Sequence, residues 1–460
     1  MAVSPARIGW LPIGALGLLA LALGTLQSVV EPALPLLQRE LGVSPSEGAL
    51  VANTLLVTGA VVTPVAGKLG DRYGGKRVLL GLMALVSAGG LLAGVAPNLP
   101  VLLLGQVFQG VMVGALPLSF ILVRTHLPAA QSQAAIGFVI ALFTGGGIAG
   151  TMLAGPVADA LSWQWMFLLP TIAVVATTPA VARLLPDDPP AASDERIDWP
   201  GVALLSGTLL AFMVGLVSVA RHSLPPYAIG ALALLVVVLA TGWVAVERRA
   251  VSPMVDLRML SRPVMWQACL LTFVITGSLG MVVFLLPQLF ALPAGGYGFG
   301  ADTTGIGWYL LPGAIAGAVS DSVGGLAARR FGPRAVVLAG AVVTAATMTA
   351  LAALHSSAWH LVLAKVLTAF AAGVGTTALV AHTAAAVDPR DTGIATGLLV
   401  VTRVVGVALG AQIAGAILDA GAGPAGLPAE SAFTTGFAVA GVVAALSLLA
   451  VRITKKGARV

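Results

Sequence analysis

Long apolar runs, separated by short polar or glycine- and proline-containing stretches, divide this chain into fourteen segments. They fall at about 10–34, 48–69, 77–97, 100–124, 131–156, 163–184, 199–220, 226–247, 265–290, 303–328, 335–355, 359–385, 392–419 and 431–452. A helix crossing the hydrocarbon core of a bilayer needs about 20 apolar residues. The pattern therefore predicts an all-α membrane protein with fourteen transmembrane spans. Connections between them are short and leave no room for a soluble domain. The longest cytosolic one, Pro186 to Pro200, is acidic (Asp187, Asp188, Asp194, Glu195, Asp198) and reads as a solvated linker. The first 26 residues mimic a signal peptide, with Arg7, an apolar stretch and Ala20-Leu21-Ala22. The run continues to Pro35 and many spans follow, so it reads as span 1.

The pattern also repeats. Gly67-Lys68-Leu69-Gly70-Asp71-Arg72-Tyr73-Gly74-Gly75-Lys76-Arg77 follows span 2, and Gly325-Leu326-Ala327-Ala328-Arg329-Arg330-Phe331-Gly332-Pro333-Arg334 follows span 10, 258 residues later. Gly137, Gly146 and Gly150 in span 5 have the spacing of Gly397, Gly406 and Gly410 in span 13, 260 residues on. Two matches at nearly one offset predict a duplication. Spans 1–6 then correspond to spans 9–14, with spans 7 and 8 inserted. The expected organisation is an N-terminal six-helix bundle (1–185), a linker with two inserted helices (186–261) and a C-terminal six-helix bundle (262–460).

Composition agrees with a lipid solvent: 58% of residues are hydrophobic, 9% are charged and mean hydropathy is +1.00, against roughly 25% charged in soluble domains. The net charge of +6 does not point to nucleic acid, because the basic residues are scattered through short loops. With both termini cytosolic, all of the 24 Lys and Arg lie inside except Arg39, Arg221, Lys365 and Arg403, as the positive-inside rule requires. The single cysteine, Cys269, reads as apolar packing. Histidine and tyrosine are scarce, and no metal-ligand spacing, P-loop or nucleophile motif appears, so no cofactor or metal is expected and an enzyme is excluded.

The segment after span 2 fits G-x-L-x-D-R-x-G-x-(K/R)-R. Span 5 carries Gly137, Gly146, Gly150 and Ala154-Gly155, followed by Trp163-Gln164-Trp165-Met166-Phe167, and span 1 ends Ala33-Leu34-Pro35. On these motifs the chain resembles the major facilitator superfamily, specifically its fourteen-helix drug:proton antiporter branch. The E-x-x-E-R signature of the fourteen-helix peptide transporters is absent. The resemblance implies two bundles with spans 1, 4, 9 and 12 lining a central cavity. It also implies a gating role for Gly67, Asp71, Arg72, Gly74, Lys76, Arg77, Arg330 and Arg334. Two departures matter. The branch's aspartate near Leu26 is missing, and its span 4 arginine, linked to proton coupling, is Gln106 in Gln106-Val107-Phe108-Gln109-Gly110.

Ionisable residues in spans are the functional candidates, since each costs roughly 2.5–3.5 kcal/mol to insert. Glu31 is the acidic residue deep in span 1. It is either the proton site or a carboxylate near the outer surface. An isolated carboxylate in an apolar cavity takes up a proton, and one beside a cation stays ionised. Lys365 in span 12, at the repeat equivalent of Gln106, either pairs with Glu31, binds an anionic substrate, or snorkels outward. Asp321 in span 10 is the second proton-coupling candidate, and Arg403 in span 13 a candidate inter-bundle charge; static pairing is the alternative for both. Asp71 is expected to latch onto the N-terminus of span 13. Gln27, Gln106, Gln109, Gln267 and Gln288, with Asn53, are candidates for hydrogen bonds to substrate or between helices. The small residues Gly137, Gly146, Gly150, Gly155, Gly397, Gly406 and Gly410 are expected to let helices of the two halves approach closely.

The expected function is proton-coupled export of small amphipathic compounds by alternating access, from a monomer in the inner (plasma) membrane in contact with its lipid. The alternative is a carrier for a defined metabolite or lipid without conventional proton coupling.

Overall fold

A computed structural model describes residues 9–187, 198–221, 224–250, 257–387, 392–423 and 426–453. The helices are α1 (Trp10–Ser28), α2 (Val30–Leu41), α3 (Pro45–Tyr73), α4 (Gly75–Gly94), α5 (Leu99–Gly110), α6 (Ala115–His126), α7 (Ala129–Ala160), α8 (Trp165–Leu184), α9 (Trp199–Ala220), α10 (Pro226–Glu247), α11 (Leu257–Leu260), α12 (Pro263–Ala291), α13 (Thr303–Phe331), α14 (Pro333–Ala353), α15 (Ala358–Ala386), α16 (Thr392–Ala420) and α17 (Glu430–Ile453). Two isolated bridges, Ala294–Gly298 and Ala422–Pro428, are the extended pairings among the described residues. Thirteen helical stretches are long and apolar enough to cross a membrane. A fourteenth arises if the two arms of α13, bent by 51° between Ser320 and Ser322, count as one span. The chain is a multi-pass membrane protein, as its apolar pattern predicts.

Three helices depart from the predicted spans. Span 1 breaks at Val29 and resumes as α2. Pro32 has no N–H to offer the Ser28 carbonyl four residues back, so the ladder opens there. Span 4 is two α-helices joined by the 3₁₀ turn Val111–Gly114. The segment after span 2 is helix up to Tyr73 rather than loop, since Lys68, Asp71 and Arg72 are all compatible with α3. Only Gly74 (φ 90°) leaves helical geometry, as the N-cap of α4. Its counterpart 258 residues on, Gly332 (φ 82°), does the same between α13 and α14. This left-handed region favours glycine.

The described chain falls into two compact units. One comprises residues 1–37 and 54–197, the other residues 38–53 and 198–460. In the first, α1 packs against α7 and α8, and α4 against α5 and α8. In the second, α12 packs against α16 and α17, and α14 against α15 and α17.

The motif glycines explain two of these pairings. A Cβ at Gly146 or Gly150 would overlap the carbonyl oxygens of Leu21 or Thr25 on α1, and one at Gly410 that of Gly277 on α12. A Cβ at Gly406 would strike Thr276. The close approach expected between halves is thus found inside each half. Gly137 and Gly397 have nothing within 4 Å of a Cβ, and tight packing there is not seen.

Candidate functional site

In the first unit, the buried polar side chains left without a hydrogen-bond partner among the described residues lie on α5. Asn98 caps this helix by accepting from the Val101 N–H at 3.2 Å. Glycines then draw it against its neighbours: a Cβ at Gly105 would crowd the Gly89 and Ala93 backbone, and one at Gly110 the Leu55 carbonyl of α3. That approach buries Gln106 and Gln109 completely, one turn apart. None of their four amide atoms has a hydrogen-bond partner among the described residues. An unsatisfied buried polar group costs about 1–3 kcal/mol, so these amides do not serve stability. Gln27 is half-buried in the last turn of α1, and Glu31 half-buried in the first turn of α2, beyond the helix break.

The repeated basic turns have matching geometry. The Arg72 guanidinium stands over Tyr73 and that of Arg330 over Phe331, each 5.4 Å from the ring centroid. Asp71, Arg72, Arg77 and Arg330 are exposed. Lys76 reaches the Asp187 carboxylate, just past α8, at 2.9 Å. This hydrogen bond and charge, with Arg77 nearby, hold the Asp187 carboxyl below its ordinary range. Asp188, Asp194 and Glu195 of the linker lie outside the described residues.

In the second unit, Lys365 is buried, with its stem lying over Gly313 of α13, where a Cβ would collide with it; it does not snorkel outward. Gln288 of α12 donates from Nε2 to Gln38 Oε1 at 2.8 Å. Gln267 is half-buried and Arg403 exposed on its helix. The side chain of Asp321 lies outside the described residues.

A polar clasp that the sequence reading missed holds segment 38–53 within this unit. Ser44 and Glu47 form a reciprocal cap of α3: the Ser44 N–H donates to Glu47 Oε2 at 2.9 Å and the Glu47 N–H to Ser44 Oγ at 3.3 Å. Ser44-Pro45-Ser46-Glu47 is a capping-box sequence with proline at N1, so this much was legible. Asp419 at the end of α16 accepts from Ser44 Oγ at 2.8 Å, from the Ser46 N–H at 3.2 Å and from Ser46 Oγ. Gln412, two turns back, accepts from Asn53 Nδ2 at 3.0 Å and donates to the Ser46 carbonyl at 2.9 Å. Glu47 also pairs with Arg221 at the end of α9.

Known proteins share this build. A multidrug resistance protein B homolog of Mycobacterium tuberculosis is 31% identical over 315 residues, 65% of this chain and 56% of its own length. The chain thus spans little more than half of that relative. A uridine/deoxyuridine transporter of Lactococcus lactis is 29% identical over 352 residues, 73% of this chain and 72% of its own. Among solved structures, the nucleoside transporter NupG superposes with a TM-score of 0.66 over 97% of this chain and 98% of its own, at 14% identity, a likeness of fold. The family description "Major Facilitator Superfamily" matches residues 16–320 and again 268–459. These two overlapping matches take in the helices of both repeats, and the chain belongs to the Major Facilitator Superfamily of membrane transporters.

Proposed function

We propose that this transporter exports small amphipathic compounds across the plasma membrane by alternating access, drawing on the proton gradient, with both termini cytosolic. The observation that carries the reading is the Gln106–Gln109 pair. Two fully buried amides without hydrogen-bond partners among the described residues are answered by a compound with an apolar body and hydrogen-bonding groups. The name of the M. tuberculosis relative supports efflux. Glu31 is the proton-binding candidate, since Gln106 carries no charge. The two six-helix bundles and the pair of inserted helices, α9 and α10, form the moving framework, and the Gly74 and Gly332 turns its gating corners.

In inverted vesicles, an imposed pH gradient is expected to drive uptake of an amphipathic dye. Glu31→Gln is expected to abolish that uptake while leaving exchange down the dye's own gradient. Proton-driven uptake that persists in Glu31→Gln places the proton site elsewhere, with Asp321 next.

One observation favours a second reading, a nucleoside carrier without proton coupling. A glutamine amide pairs with the imide edge of a pyrimidine, and the L. lactis relative carries uridine in its name. Radiolabelled uridine uptake that is indifferent to the pH gradient, with no dye transport, selects it.

A further inference from the structure

Within the second unit, three helices border a half-open cavity of about 170 Å³, lined by Thr272 of α12, Thr376, Thr377 and Val380 of α15, and the exposed Val400 and Arg403 of α16. We infer that it seats the carboxylate end of an anionic amphipathic substrate, an inference that rests on the transport reading above.

Two of its groups are anomalous. Thr383 of α15 is buried with no hydroxyl partner among the described residues, but four other threonines of these helices satisfy their hydroxyls on the carbonyl four residues back: Thr276 on Thr272, Thr368 on Ala364, Thr376 on Ala372 and Thr402 on Leu398, at 2.7–2.8 Å. Thr272 does not. It is 3% exposed, and its Oγ1 has no partner among the described residues. Arg403 stands eleven residues into α16, about 16 Å along the helix, and makes no ion pair among the described residues. A charge at such depth and an orphaned buried hydroxyl are both costly, and here they border one cavity.

Their chemistry is complementary to an accepting anion, and a carboxylate is the one inferred here. Guanidinium and a free hydroxyl both donate, and a carboxylate only accepts. The planar fork of Arg403 matches two carboxylate oxygens. One cation neutralises a monoanion. The volume is below the roughly 300–1,000 Å³ of sites that swallow a whole ligand, so it receives an end group. The ligand's apolar body finds Val380, Val400 and Leu399, the last continuous with the buried cluster of Met265, Ala268, Cys269 and Ala395.

The test uses the full chain in phosphatidylcholine vesicles with two fluorescent probes, dansyl-phenylalanine and its neutral amide. The carboxylate is expected to bind at least about tenfold tighter than the amide. Arg403→Gln removes that preference and Arg403→Lys keeps part of it. Thr272→Val weakens carboxylate binding severalfold without lowering Tm, because the lost hydroxyl was unsatisfied. Equal binding of the two probes, or a preference that survives Arg403→Gln, overturns the inference. So does competition by phosphatidylglycerol that vanishes in Arg403→Gln, which assigns the site to a lipid headgroup. Wild-type protein that transports both probes alike refutes this substrate class alone; wild-type protein that transports neither refutes the transport reading too.

Discussion

A Cβ at Gly150 would collide with the Thr25 backbone and one at Gly410 with that of Gly277, whereas a Cβ at Gly137 meets nothing within 4 Å. The same motif residue type therefore does opposite things along one helix. Gly150→Ala and Gly410→Ala each force a helix pair apart, and a loss of about 1–3 kcal/mol is expected from overpacking. Gly137→Ala gains up to about 1 kcal/mol from helix propensity. Thermal melts of the three variants in one detergent check the ordering; equal melts would remove close packing as the reason for these glycines. The glycine spacing was legible in the sequence, but its target was not. Spacing places residues on one face of a helix without saying which neighbour that face meets. Gln106 was legible as a departure from a motif. Its isolation became visible only once the surrounding helices left both amides without partners.

At the scale of elements, α9 and α10 run over the predicted limits, 199–220 and 226–247. Asp198 accepts from the Gly201 N–H to open α9, and Pro225 and Pro226 open α10, so sequence signals coincide with structural ends. Span 1 failed where hydropathy was followed and the missing proline N–H at Pro32 was not. The basic segments failed as loops because their charged residues tolerate helix and only one glycine in each breaks it. The Lys76–Asp187 pair joins the start of α4 to the end of α8, and its pH dependence has a definite sign. Since Lys76 lowers the Asp187 carboxyl value, the pair is fully formed above the ordinary carboxylate value of about 4 and is lost as pH falls through the lower, folded-state value. The ¹³C resonance of reductively methylated Lys76 is expected to be steady from about pH 5 to 8 and to move only below about pH 4. Asp187→Asn should show no such movement; a transition near neutral pH would sink the assignment.

Considered whole, the backbone passes between the two units three times, after residues 37, 53 and 197. The clasp responsible joins Ser44, Ser46 and Asn53 to Asp419 and Gln412, across more than 350 positions of sequence. No local pattern signals such a pairing, which is why the site reading overlooked it. Fragments 1–190 and 191–460, co-expressed as separate chains, are expected to co-purify through a tag on either one, because the first carries segment 38–53. Ser46→Ala with Asp419→Asn should reduce recovery severalfold, and fragments that part in mild detergent without any substitution would contradict the clasp. The stretch after Asp187 is then a spacer rather than a tether. A protease site inserted there and cleaved would leave a working carrier in two pieces, held by serine hydroxyls and one carboxylate instead of by a peptide bond.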